Sequence, residues 1–242
     1  MSHTYEELAK MIDHALLSPT LTVSDLDQGI ELALAYDVAS VCIMPFYLKA
    51  CSDRLAGTQV KTSTTIGFPH GGQATSTKCV ESEKAIADGC QELDVVTNIS
   101  QVLSGNWNYV HDELQRLIEI AHAADRQVKI IFENCYLNEE QKIRLCQICS
   151  DLKADWVKTS TGYGTSGATE DDLRLMRLHS GEHVQIKAAG GIGDIDQLIS
   201  VREIGVTRCG ASRTKTILVE LRKRLELSPI ETVDSISGKS SY

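Results

Sequence analysis

Proline and phenylalanine are scarce in this 242-residue chain, with four and three residues, and aromatic residues make up only 5% of it. No proline-rich linker or low-complexity stretch divides it, which argues against a string of small modules. No run of 18 apolar residues occurs, so nothing reads as a membrane-spanning helix. The first residues lack the basic and apolar segments of a secretory signal. Basic clusters are nearly missing too. The formal net charge is -9, and Arg222-Lys223-Arg224 is the one short basic run. Neither a nucleic-acid partner nor a membrane partner is therefore expected, and a cytoplasmic location is.

Several familiar motifs are also missing. The segment Gly67-Phe68-Pro69-His70-Gly71-Gly72 is no phosphate-binding P-loop, because no Gly-Lys-Ser/Thr follows. No dinucleotide fingerprint is present. The seven histidines are scattered and no His/Asp/Glu set has metal-ligand spacing, so neither a metal nor a cofactor is expected. The eight cysteines sit mostly inside apolar segments and read as free thiols. Cys146 and Cys149 form a C-x-x-C, but within a helical pattern and without a second pair, which favours helix packing over metal or redox chemistry.

What is present is a repeated alternation of short β-rich runs, turns and amphipathic helices, in a chain that is 42% apolar. The expected strands are Met11–Leu17, Ala39–Met44, Val60–Phe68, Glu92–Val96, Val128–Glu133, Trp156–Ser160, Val184–Ala189 and Gly205–Cys209. Thr22 with Asp25, and Asn138 with Gln141, have the spacing of capping boxes. Gly89 is placed to end a helix spanning roughly Thr77–Asp88. Eight such units point to a (β/α)₈ barrel over residues 1–226, with a polar tail over 227–242. An open doubly wound sheet is the rival architecture.

In such a barrel the chemistry sits at the C-terminal ends of the strands. The polar residues there are Asp13, Asp94, Glu133, Lys158, Thr159, Ser160 and Lys187. Lysine inside a strand is unusual, because an ammonium is rarely buried without a partner. Two on consecutive strands would share one pocket, and like charge and desolvation both lower a lysine pKa. A neutral amine can attack a carbonyl and form a Schiff base. The alternative is a pair of rim lysines in ion pairs. Asp94 reads either as a proton relay or as a counter-ion. Asp13 either orients the lysines or bonds the first loop. Gly190, Gly191 and Gly193 after the seventh strand, with Gly210, Ala211 and Ser212 after the eighth, suggest a phosphate cradle at a helix N-terminus. Tight turns without a ligand remain the alternative.

At these residues the sequence resembles the deoxyribose-phosphate aldolase family of class I aldolases. The likeness rests on Ile12-Asp13-His14-Ala15-Leu16-Leu17, Val41-Cys42-Ile43-Met44-Pro45, Ile66-Gly67-Phe68-Pro69-His70-Gly71, Glu92-Leu93-Asp94-Val95-Val96, Val157-Lys158-Thr159-Ser160-Thr161-Gly162 and Lys187-Ala188-Ala189-Gly190-Gly191-Ile192. It implies a (β/α)₈ fold, often a homodimer, and the reversible cleavage of 2-deoxy-D-ribose 5-phosphate to acetaldehyde and D-glyceraldehyde 3-phosphate.

By the resemblance, Lys158 forms the Schiff base, Lys187 depresses its pKa, Asp94 relays protons and Asp13 supports them. Gly162, Gly190, Gly191, Gly210 and Ser212 match phosphate-binding positions, and Cys42 and Thr159 match pocket positions. Tyr242, at the end of Gly238-Lys239-Ser240-Ser241-Tyr242, looks like a terminal tyrosine that assists proton transfer in part of the family. Gly193 and Arg213 depart from the pattern, since many relatives carry arginine at the first position and a small or hydroxyl residue at the second. Rival readings are a lysine-dependent aldolase for another sugar phosphate or for unphosphorylated aldehydes, and a non-enzymatic sugar-phosphate-binding barrel.

Overall fold

The computed structural model describes residues 3–230. Its centre is a closed barrel of eight parallel strands in sequential order, surrounded by helices. The strands are β1 (Ile12–Leu16), β2 (Ser40–Ile43), β3 (Lys61–Ile66), β4 (Glu92–Val96), β5 (Gln127–Ile131), β6 (Trp156–Lys158), β7 (Gln185–Ala189) and β8 (Val206–Ala211). Closure rules out the open sheet, because β1 pairs with both β2 and β8. The first strand, β1, is therefore the one that seals the barrel.

Alternation within the strands separates two interiors. Leu93, Val95, Val128, Ile130, Val157, Ile186 and Ala188 point outward and are fully buried in the apolar layer against the helices. Their neighbours on the inner face are charged: Glu92, Asp94, Lys129, Lys158, Lys187 and Arg208 are all buried. Barrels of this kind usually fill their lumen with branched apolar side chains. A lumen of paired charges is costly to desolvate, so its presence points to chemistry rather than stability.

Local chemistry fixes the helix starts. Thr22 and Asp25 close a capping box on the helix Val23–Tyr36, and Asn138 and Gln141 close one on Glu139–Asp151. The helix Thr75–Ala87 stops before Gly89, which takes φ +93°. Two expectations about strand ends need correction. β8 continues through Gly210 and Ala211, so Gly210 is a strand residue rather than part of a turn. β6 stops at Lys158, so Ser160 does not extend the inward face beyond it.

Candidate active site

Lys158 is the last residue of β6 and pairs in register with Lys187 of β7, which in turn pairs with Arg208 of β8. Placing both lysines on the inner face brings their ammonium groups onto one acceptor. Lys158 Nζ donates to Asp94 Oδ2 at 2.6 Å, and Lys187 Nζ donates to the same oxygen at 2.7 Å. The other oxygen, Oδ1, accepts from Lys129 Nζ at 2.9 Å and from the Ser63 hydroxyl at 3.3 Å. Asp13 lies behind Lys187. Its Oδ2 is 2.6 Å from Lys187 Nζ, and its Oδ1 accepts from Ser40 at 2.7 Å and from Arg208.

The two lysines share a carboxylate but not a protonation tendency. Burial pushes the Lys158 pKa down; Asp94 opposes this and Lys187 reinforces it, and the result lies below the ordinary lysine value. Burial acts on Lys187 in the same sense, but it faces both Asp13 and Asp94, which outweigh burial and raise its pKa. Desolvation would raise Asp94, yet Lys129, Lys158 and Lys187 hold it well below the usual carboxylate range. Asp13 is likewise held down, against burial, by Arg208, Lys187 and Lys129. The site thus joins a lysine of lowered pKa to a lysine of raised pKa and a carboxylate held ionised between them.

Above Lys158 opens a cavity of about 800 Å³. Asp13, Cys42, Lys158 and Lys187 form part of its wall, and so do Gly162, Gly190, Gly191, Gly210, Ser212 and Arg213. Gly162, Gly190 and Gly191 have φ of +90°, +78° and +92°, a region that glycine enters without penalty. The cavity also reaches Gly193, and the gap left by its missing side chain is filled by Arg213. A Cβ built on Gly193 would lie 3.4 Å from an Arg213 guanidinium nitrogen. Among the described residues, Arg213 is the only lysine or arginine besides Lys158 and Lys187 that lines this cavity. Cys42 is buried beside the lysines, and desolvation raises its thiol pKa, so it is no ready nucleophile.

One expected residue does not fall where the sequence reading put it. Thr159 is fully buried and does not line the cavity; its hydroxyl donates to Ala189 O at 3.3 Å and accepts from Ala189 N at 3.1 Å, tying β6 to β7. Tyr242 lies outside the described residues. Glu133, counted among the strand-end polar residues, follows β5 at φ +58°. Its carboxylate accepts from Thr161 N at 3.1 Å and from the Thr161 hydroxyl, anchoring the loop after Lys158.

The sequence reading missed the layer beneath the lysines. Lys129 donates to Glu92 Oε2 at 2.6 Å, and Arg208 donates to Glu92 Oε1 at 2.7 Å. Trp156 floors this layer, with Lys129 and Arg208 at 5.6 and 5.1 Å from its ring centroid. The signal was available: Val128-Lys129-Ile130 and Leu93-Asp94-Val95 each set one charge between apolar strand neighbours. Attention to the strand ends alone passed over Lys129, Glu92 and Arg208. Gly167 was missed as well. Its Cα lies so near Gly190 that a Cβ there would meet Gly190 O at 2.4 Å. Among the described residues, no group of three or more His, Cys, Asp or Glu side chains is placed to hold a metal, and no helix is long and apolar enough to cross a membrane.

The chain is similar to known aldolases. Deoxyribose-phosphate aldolase of Rhodopirellula baltica is 62% identical over 240 residues, covering 99% of each chain. Among solved structures, an aldolase described as QR15 superposes with a TM-score of 0.86 at 34% identity, covering 91% of this chain and 98% of its own. Deoxyribose phosphate aldolase from Aeropyrum pernix, described as a unique tetramer, gives 0.84 at 27% identity, covering 91% and 93%. Residues 7–211 match the profile of the DeoC/LacD family aldolases. The chain belongs to that family.

Proposed function

We propose that this protein is a class I aldolase of (β/α)₈ architecture that reversibly cleaves 2-deoxy-D-ribose 5-phosphate into acetaldehyde and D-glyceraldehyde 3-phosphate. The observation that carries this reading is the buried Lys158, biased toward its neutral form, facing a cavity and touching both a carboxylate and a second ammonium through Asp94. An amine in that state is a nucleophile for aldehydes. The 62% identity to an aldolase over nearly the whole chain supports the choice of substrate.

The steps follow from the groups in place. The neutral amine of Lys158 adds to C1 of the open-chain sugar and gives a carbinolamine. A proton from the Lys187 ammonium, passed directly or through Asp94 and water, lets the carbinolamine hydroxyl leave as water. The resulting iminium is an electron sink. The C3 hydroxyl then gives its proton to the Lys187 amine, directly or through water and Asp94, as the C2–C3 bond breaks, the cleavage that leaves two carbons on the lysine and three in glyceraldehyde 3-phosphate. The electron pair of that bond becomes an enamine. Protonation of the enamine at its terminal carbon, followed by addition of water, releases acetaldehyde and restores the amine. Tyr242 assists this last proton transfer.

The phosphate is held by backbone N–H groups of the turns at Gly162, Gly190, Gly191 and Ser212, with Gly210 at the end of β8 leaving room beside them, next to the helix Thr214–Arg224 and with Arg213 as its cation. Arg213 thereby takes the part that an arginine at position 193 takes in many relatives. The test is product analysis. Incubation with 2-deoxy-D-ribose 5-phosphate is expected to give acetaldehyde and glyceraldehyde 3-phosphate in equal amounts, and Lys158→Ala is expected to give neither. Tight sugar-phosphate binding without products would mean a binding protein instead.

A further inference from the structure

The buried charges of the lumen do not balance. Among the described residues, four cations, Lys129, Lys158, Lys187 and Arg208, meet three carboxylates, Asp13, Glu92 and Asp94. Lys61 also approaches Glu92, at 3.2 Å, but from the solvent end of the barrel, where its side chain is 40% exposed and water screens it. An uncompensated buried charge is expensive, so the cation with the least carboxylate support holds its proton most weakly. Arg208 does not deprotonate in this range. Lys187 lies on two carboxylates, Asp13 and Asp94. Lys129 lies on Glu92 and Asp94, with Asp13 at 3.8 Å. Lys158 alone has a single carboxylate partner, and it shares that carboxylate with both other lysines.

We propose that Lys129, anchored from below by Glu92, is a positioning residue that occupies Asp94 and so prevents Asp94 from fixing Lys158 as an ammonium. Lys129 never meets the substrate. It acts through Asp94, whose one negative charge is divided among three ammonium groups, Lys129 on Oδ1 and the other two on Oδ2. Glu92 and Arg208 hold Lys129 and Asp13 in place from the opposite end of the lumen. The groups facing Lys158 come from every side of the barrel. Asp94 and Lys187 meet it through hydrogen bonds to one oxygen, and Cys42 of β2 contributes a neutral thiol. Ser63 of β3, Lys129 of β5, and Asp13 and Arg208 of β1 and β8 act one contact further away.

The inference rests on Lys158 being the Schiff-base lysine and adds what sets its charge. Its sign can be worked out. Lys129→Met removes a positive charge and frees half of Asp94, so the Lys158 ammonium becomes easier to keep and amine reactivity shifts to higher pH. Glu92→Gln removes a negative charge and drives Lys129 further onto Asp94, so reactivity shifts to lower pH. In the double variant Glu92→Gln/Lys129→Met no Lys129 remains to be driven onto Asp94, so reactivity shifts to higher pH, as in Lys129→Met.

The experiment is borohydride trapping of acetaldehyde on the intact enzyme across pH. The adduct is located by mass spectrometry, and circular dichroism confirms folding of each variant. The midpoint is expected to rise by roughly one pH unit or more in Lys129→Met, to fall in Glu92→Gln, and to rise in the double variant as it does in Lys129→Met. Should Lys129→Met not fold, the opposed behaviour of Glu92→Gln and the double variant still decides the matter. Shifts of the same sign in both single variants, unmoved midpoints, or a double variant whose midpoint falls as in Glu92→Gln would overturn the proposal. A wild-type adduct absent from Lys158 would instead overturn the assignment of the nucleophile.

Discussion

Lys158 and Lys187 donate to the same oxygen, Asp94 Oδ2, at 2.6 and 2.7 Å. Two ammonium groups on one oxygen cannot be equivalent. Asp13 provides Lys187 with a second carboxylate and gives Lys158 none, and this asymmetry selects the nucleophile.

The first prediction concerns pH. Lys158 is reactive only when neutral, so the rate falls as pH drops through its lowered pKa, and that limb lies below the ordinary lysine range. Asp94 and Asp13 stay ionised to lower pH still and do not define the limb. Lys187→Met removes the neighbouring positive charge. The acid limb of kcat/KM is expected to move to higher pH, with activity at neutral pH down about 100-fold or more. A variant of unchanged pH profile and wild-type rate would show that Lys187 does not tune Lys158.

The second prediction concerns phosphate. Replacing Arg213 by Ser removes the cation beside Gly193. The KM for 2-deoxy-D-ribose 5-phosphate is expected to rise about 10-fold or more, the usual worth of a charge-assisted hydrogen bond. Turnover of unphosphorylated 2-deoxyribose should stay within about two-fold of wild type. Equal losses on both substrates would place Arg213 outside phosphate recognition.

Much of this was legible in the sequence, and the parts that were not share a cause. The strands, the capping boxes at Thr22 and Asn138, and the facing of Lys158 and Lys187 follow from local periodicity and cap chemistry, which short windows contain. The roles within the pair were not readable from spacing. Which lysine carries the higher pKa depends on Asp13, which reaches Lys187 from β1 across barrel closure, 174 residues away in number. The Glu92–Lys129–Arg208 layer likewise exists only once β4, β5 and β8 share a lumen. Thr159 was misjudged because β6 ends one residue before it, turning its hydroxyl to the backbone of Ala189.

The third prediction concerns the loop above Lys158. Ala168 N donates to both Ala189 O and Gly190 O at 3.0 Å, and Gly167 has no room for a Cβ against the Gly190 backbone. Gly167→Ala must push the loop away from the phosphate turn, at a cost of about 1–3 kcal/mol. A lower Tm and a raised KM for the phosphorylated substrate are expected together. Retention of both wild-type values would mean that the close approach is not needed.

The fourth prediction concerns acid stability. His14 is buried, with Nδ1 2.8 Å from Thr214 Oγ1, and burial pushes its pKa down to about 4. An unfolded histidine titrates near about 6.5. Between those values the unfolded chain binds a proton that the folded chain does not, so stability rises with pH across that window. The difference corresponds to about 3 kcal/mol. Urea unfolding followed from about pH 7 to about pH 4 is expected to show that loss, and His14→Gln is expected to flatten it. Identical slopes for the two proteins would contradict the assignment.

The central claim is that Lys158 is the Schiff-base lysine. Borohydride reduction in the presence of acetaldehyde, followed by peptide mass spectrometry, reads it directly. The account predicts one reduced two-carbon adduct, on Lys158, that disappears in Lys158→Ala together with turnover. An adduct on Lys187 or Lys129 in active enzyme, or no adduct at all while cleavage proceeds, would contradict it.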